Sequence, residues 1–279
     1  MSDGPIEVVR ESADKMGCDP KWLKDGEVPH FGTHELEWDS SKPAMILMHG
    51  LFGALSNWDA SFPLFTQYSN PIALSFPLLT GHRSEVRVKA LAVYTELFVR
   101  QRKLNPVILC GNSLGGHVAL RLCLAAPELV DCLILSGASG LYEHSVDTLP
   151  IRPDHRFVRE HMARVFYNNQ FITDEAVDEI AGILKHRMNI LNLIHAARSA
   201  KKDNLQTVLG EIKVPTLLLW GENDEVTTMQ VAETFHRLIP NSDLRSIKNC
   251  GHAPMIEHPE WFSEQVEGFL KQHSKFYAK

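Results

Sequence analysis

Short, unbroken apolar runs separated by longer stretches of helical period are the feature that most limits what this chain can fold into. Ala44-Met45-Ile46-Leu47-Met48, Pro71 to Phe76, Val107 to Cys110, Cys132 to Ser136, and Thr216 to Trp220 lack the apolar–polar alternation of a half-exposed strand. Strands of that kind are buried on both faces, as in a parallel sheet covered by helices on both sides and wound with right-handed crossovers. Leu244 to Ile247 reads as one further strand, and Glu85 to Lys103, His117 to Ala126 and Glu260 to Lys271 read as helices. In the first helix Val88, Leu91, Ala92, Leu97 and Val99 supply a buried stripe, while Lys89, Arg100 and Arg102 are expected to face water. The expected class is therefore α/β, a mostly parallel central sheet flanked by helices.

The alternation breaks from about Gly140 to Leu209, a stretch rich in His, Arg and Asn with Pro150, Pro153 and a helical run at Asp174 to Ile183. We read it as an inserted helical cap, residues 140–209, on a core formed by residues 1–139 and 210–279. Thr33 to Trp38 suits an edge strand; before it, Pro20, Gly26, Pro29 and Gly32 interrupt any regular pattern.

Gly111-Asn112-Ser113-Leu114-Gly115 has the form G-x-S-x-G and stands between an apolar strand and a helix, the setting in which that pattern carries chemistry. Small residues on either side allow a sharp, strained turn that leaves the serine hydroxyl projecting from the strand end. A serine hydroxyl is a weak nucleophile at neutral pH and needs a base and a group that orients the base. Gly221-Glu222-Asn223-Asp224 and Asn249-Cys250-Gly251-His252 each follow a strand, so Asp224 and His252 are the candidates, in the chain order Ser, Asp, His. Glu222 and Glu225 flank Asp224 and offer competing carboxylates. The Leu114 N–H at the helix start and the Leu51 N–H, in the His49-Gly50-Leu51-Phe52-Gly53 loop, are the expected oxyanion donors. His49 itself reads as structural, a side chain that holds this loop.

Taken in order, His49-Gly50, Gly111-Asn112-Ser113-Leu114-Gly115-Gly116, Gly221-Glu222-Asn223-Asp224 and Gly251-His252 resemble the α/β-hydrolase family from about Pro43 to the final helix. The resemblance implies that the cap roofs the site and selects substrate. It also implies ester or related acyl hydrolysis, because the haloalkane dehalogenases and epoxide hydrolases of that family use an aspartate where this chain has Ser113. The Gly-Asn-Ser-Leu-Gly-Gly form looks like that of carbon–carbon bond hydrolases acting on ring-cleavage products. Those enzymes typically carry Trp directly after the catalytic His, where this chain has Ala253, and the Leu51-Phe52-Gly53 loop looks closer to some small esterases. A carboxylesterase working through an acyl-enzyme is thus the first reading, with carbon–carbon hydrolysis second. A small-molecule receptor of the same fold and acyl transfer to an acceptor other than water are the remaining readings.

A formal net charge of -6 disfavours nucleic acid and anionic membranes as partners. No run approaches the roughly 18 apolar residues of a membrane-spanning helix, and Met1 to Arg10 does not form a secretory signal. A cytoplasmic location and a small-molecule substrate are expected. The scattered Cys18, Cys110, Cys123, Cys132 and Cys250 suit free, buried thiols, and with no HExxH pair neither metal nor cofactor is expected. Arg187 and Arg198 read as surface ion-pair formers before substrate clamps, and Phe52, Trp58, Phe76, Phe157 and Phe166 as packing before an acyl pocket.

Overall fold

A computed structural model of the protein describes residues 5–142 and 153–277. The early part of the expected cap, including Pro150, and the first four residues of the chain lie outside the described residues. Among those described, one sheet contains β1 (Gly32–Glu35), β2 (Ala44–Met48), β3 (Asn70–Ser75), β4 (Val107–Asn112), β5 (Val130–Ser136), β6 (Thr216–Gly221) and β7 (Ser242–Ile247). Their order is β1-β3-β2-β4-β5-β6-β7; β1 runs antiparallel to β3 and every other pair is parallel. The chain thus winds outward in both directions from the centre of the sheet, and ligands of such sheets bind beyond the carboxyl ends of the strands. Every side chain of β2, β4 and β5 is buried, the physical reason for their unbroken apolar runs.

The longer helices are α1 (Pro5–Met16), α2 (Val88–Gln101), α3 (Leu114–Ala125), α4 (His155–Val165), α5 (Asp174–Leu184), α6 (Arg187–Lys202), α7 (Met229–Leu238) and α8 (Pro259–His273). Arg102, just past the end of α2, is exposed and Lys89 and Arg100 on it are partly so, as expected, but the buried face is wider than the five-residue stripe. All residues from Val88 to Val99 except Lys89 are buried, because α1 packs across its outer side with Val9 and Ala13. Glu96 is enclosed there, accepting from Ser12 Oγ at 3.1 Å and Arg100 Nε at 2.8 Å, and burial pushes its carboxyl upward against the opposing pull of those two partners.

Helices α4 to α6 occupy the interval between β5 and β6. Asp154 caps α4 by accepting from Phe157 N at 2.8 Å, and Thr173 caps α5 by accepting from Ala176 N at 3.2 Å. The end of α6 is bolted to the core through Asp203, which receives Arg121 Nε at 2.6 Å and Arg121 NH2 at 2.5 Å. His117 Nε2 lies 3.2 Å from the same carboxylate but outside hydrogen-bond geometry. Burial opposes ionisation of Asp203, yet His117 and Arg121 outweigh it and hold the carboxyl at about 2. The five cysteines are free; four are buried and Cys18 is half-buried. No helix among the described residues is long and apolar enough to cross a membrane.

Candidate active site

β4 ends at Asn112 and α3 begins at Leu114, so Ser113 alone makes the turn, with φ 54° and ψ −118°. A non-glycine residue held there is strained, and the surroundings enforce it. Ser113 N–H donates to Ser136 O at 3.0 Å, and Ser113 O accepts from Ser139 N at 3.1 Å and His117 N at 3.2 Å. The turn closes only because its neighbours lack side chains: a Cβ on Gly115 would strike Met48 O, and one on Gly116 would lie 2.6 Å from Ala138 Cβ.

The loop after β6 brings Asp224 beneath the loop after β7. Asp224 Oδ1 accepts from Val226 N at 2.8 Å and Thr227 N at 2.9 Å; Oδ2 accepts from Thr227 Oγ1 at 3.0 Å and lies 2.8 Å from His252 Nδ1. A carboxylate can only accept, which assigns the proton to His252 Nδ1 and leaves the Nε2 lone pair free. His252 lines the same cavity as Ser113, and its Nε2 is buried without a protein partner among the described residues. The two do not form a hydrogen bond with each other. Glu222 and Glu225, the competing carboxylates, are exposed.

Further contacts fix the histidine. Asn112 Nδ2 donates to His252 O and Ser136 O, both at 3.0 Å, tying the His252 loop to the turn that holds Ser113. Gly137, at φ +50°, leaves room for the imidazole: a Cβ there would stand 2.8 Å from His252 Nδ1. His252 N–H donates to Val165 O at 2.7 Å, at the end of α4. Glu257 joins the same loops, Oε1 accepting from Gly251 N at 2.7 Å and Oε2 from Tyr167 N at 2.9 Å and Asn168 N at 3.1 Å. Thr227, Gly137, Val165 and Glu257 escaped the sequence reading because only the folded chain brings them to His252.

On the opposite side of Ser113, the turn after β2 is held by His49. Its Nε2 accepts from Phe76 N at 3.1 Å, so Nδ1 carries the proton and donates to Gly50 O at 2.8 Å. Burial lowers this imidazole to about 4, against the raising effect of the Gly50 carbonyl, so it is a neutral clamp at ordinary pH. A Cβ on Gly50 would lie 3.2 Å from Ser113 Cβ, a measure of how closely the following peptide approaches the serine. Leu51 and Leu114 both line the cavity, and among the described residues neither amide donates to a protein acceptor.

The cavity has a volume of about 330 Å³. Phe52, Met162, Val165, Phe166, Ile180 and Ile183 give it apolar walls, so the segment between β5 and β6 supplies much of its lining. Of the aromatic candidates, Phe52 and Phe166 face it, whereas Trp58 and Phe76 are buried in the core. Arg187 and Arg198 are exposed and absent from its lining.

A family model described as the alpha/beta hydrolase family matches residues 45–265. The chain belongs to that family. It is 32% identical, over 88% of its length and 96% of the other chain, to a solved α/β-hydrolase enzyme, MGS-MChE2, from the metagenome of lagoon sediments at Mar Chica, Morocco, with a TM-score of 0.71. A 2-hydroxy-6-oxononadienedioate/2-hydroxy-6-oxononatrienedioate hydrolase of Cupriavidus pinatubonensis is 28% identical, with 89% of this chain and 93% of that protein aligned. A 2-hydroxy-6-oxo-6-(2'-aminophenyl)hexa-2,4-dienoic acid hydrolase of Metapseudomonas resinovorans is 27% identical, with 87% and 88% aligned. A hydrolase role and a small-molecule substrate follow for this chain.

Proposed function

We propose that the protein is a serine hydrolase that cleaves a small-molecule ester through an acyl-enzyme, with Ser113 as nucleophile, His252 as base and Asp224 as the residue that orients the base. The observation that carries this reading is the His252 pairing. Its Nδ1 is committed to a buried carboxylate 2.8 Å away, while Nε2 lacks a partner on the wall of the cavity that holds the strained Ser113. His252 takes the Ser113 proton as the hydroxyl oxygen bonds to the substrate carbonyl, and returns it to the departing alcohol oxygen as the ester bond breaks. Water, deprotonated by the same Nε2, then releases the acid. The Leu51 and Leu114 amides stabilise both tetrahedral oxyanions, each contributing about 2.7–4 kcal/mol by analogy with other oxyanion holes. Residues 140–209 act as a cap that excludes water and selects substrate. This chemistry draws on no cofactor.

Carbon–carbon bond hydrolysis is the second reading, favoured by the ring-cleavage substrates in the names of the two relatives above. The first is preferred because the cavity walls are mainly apolar and Ala253 is small and buried at the position after His252. Hydrolysis of p-nitrophenyl esters of increasing acyl length, beside a vinylogous 1,5-diketone, by wild type and folded Ser113→Ala separates the readings. Ester turnover abolished by the substitution supports the first. Turnover of the diketone alone moves carbon–carbon cleavage to first place.

A further inference from the structure

Most of the polar side chains that line the cavity are already committed or stand at its mouth. Asn57 Oδ1 accepts from Ala54 N at 3.1 Å, Asn112 Nδ2 is shared between two carbonyls, and Ser139 Oγ lies 3.2 Å from His117 Nδ1. Ser56, Arg164 and Glu179 are exposed at the rim. His161 differs from all of these. It lies on α4 among apolar neighbours, packed edge-on against Phe52 at 5.0 Å and stacked on Phe157 at 6.2 Å between ring centroids. These two ring contacts hold it in place, and among the described residues its imidazole nitrogens make no protein hydrogen bond. Burial foremost, with Arg164 and His252 adding to it, lowers the imidazole to about 4, so it presents one donor and one acceptor without charge at ordinary pH.

His161 is only partly buried, and its imidazole lines the cavity with no protein partner for its nitrogens, so a group entering the cavity can bond to it. We propose that His161 is a specificity-determining residue that hydrogen-bonds an uncharged oxygen, a ketone or hydroxyl, on the part of the substrate lying under the cap. An anionic group is a poor match for a neutral imidazole with hydrophobic walls. Position sets where that oxygen sits. His161 and Val165 are one helical turn apart, about 6 Å along the axis, and Val165 O holds the backbone N–H of His252. The position of that oxygen along the acyl chain is therefore scanned at two neighbouring carbons. The inference deepens the acyl-hydrolase reading and rests on it for the identity of that carbonyl.

The test compares p-nitrophenyl hexanoate with its 4-oxo and 5-oxo analogues. Binding to Ser113→Ala is measured by calorimetry, and kcat/KM is measured with wild type. One oxo ester should bind Ser113→Ala about tenfold more tightly than the plain ester, the gain of one net hydrogen bond. His161→Phe in that background, which preserves a ring between Phe52 and Phe157, should bring the ratio to about one, while His161→Gln should keep part of it. Equal binding of all three esters to Ser113→Ala, binding of none, or a preference that survives His161→Phe overturns the inference. Equal binding in Ser113→Ala overturns the inference before any change at His161, and an undiminished preference in His161→Gln overturns it if the phenylalanine variant does not fold. An oxygen preference in binding without turnover by wild type overturns the acyl-hydrolase reading instead and leaves the role of His161 standing.

Discussion

Asp224→Asn is a change of a single atom whose consequence can be worked through from the contacts around it. The Oδ1 position faces two backbone donors, Val226 N and Thr227 N, at 2.8 and 2.9 Å. Asparagine keeps both bonds only by placing its oxygen there, which puts its NH2 where Oδ2 now lies 2.8 Å from His252 Nδ1. The NH2 donates, so Nδ1 must accept and the imidazole proton moves to Nε2. Thr227 Oγ1, which now donates to Oδ2 at 3.0 Å, can rotate to accept from the new amide. The loop keeps its geometry while the base is in the wrong tautomer to take the Ser113 proton. The expected loss in kcat is about 10⁴-fold, the size found when a serine-hydrolase triad is changed this way, without loss of folded structure. Glu222→Gln and Glu225→Gln, on exposed side chains, should stay within about twofold of wild type. Steady-state ester hydrolysis with a thermal melt on each variant is the assay, and an Asp224→Asn protein retaining a tenth of wild-type kcat would refute the tautomer argument.

Gly137→Ala should lower stability by about 2–4 kcal/mol, from a left-handed alanine plus overpacking, and cut kcat by displacing His252. Gly268→Ala, inside α8 with open space beside it, should stabilise by about 0.5–1 kcal/mol; paired urea titrations check both, and equal effects would contradict the packing analysis. Glu257→Gln replaces one of two accepting oxygens with a donor facing either Gly251 N–H or the Tyr167 and Asn168 N–H groups. It should lower kcat about tenfold and raise hydrogen exchange at residues 165–168; unchanged kcat with a lowered Tm would reduce Glu257 to a structural role. For pH, the sign follows from His49, lowered from 6.5 to about 4 in the fold: between those values the unfolded chain binds a proton that the native one does not. Stability from this group is full above pH 6.5 and is lost toward pH 4, about 2 kcal/mol of it by pH 5; a urea midpoint equal at pH 7 and pH 5 would contradict this.

The sheet was legible because an unbroken apolar run says that a strand is covered on both faces whatever covers it; the runs at Met45, Ile108 and Ile134 therefore reported on themselves. Helix α1 and the enclosure of α2 were not, since Pro20 and Gly26 obscured the regularity before them, and nothing in α2 announces that Val9 and Ala13 lie across it. Among Glu222, Asp224 and Glu225 the chain order alone could not choose, yet a local signal existed. Asp is the carboxylate short enough to accept the backbone N–H two residues on, and Asp224 does so with Val226 while pointing its second oxygen at His252.

The segment between β5 and β6 was visible as a break in composition, but its attachment to the His252 loop was not. Val165 O holds His252 N–H, and Glu257 spans Gly251, Tyr167 and Asn168, so the segment proposed to choose the substrate also helps to place the residue proposed to activate Ser113. Exchange of α5, whose Ile180 and Ile183 face the cavity, can alter substrate preference without touching the base. Exchange of residues 165–168 cannot, because a different path of that backbone removes the acceptor for His252 and strips Glu257 Oε2 of both its donors. On the proposed reading, selectivity and catalysis are therefore separable along α5 and inseparable at the end of α4.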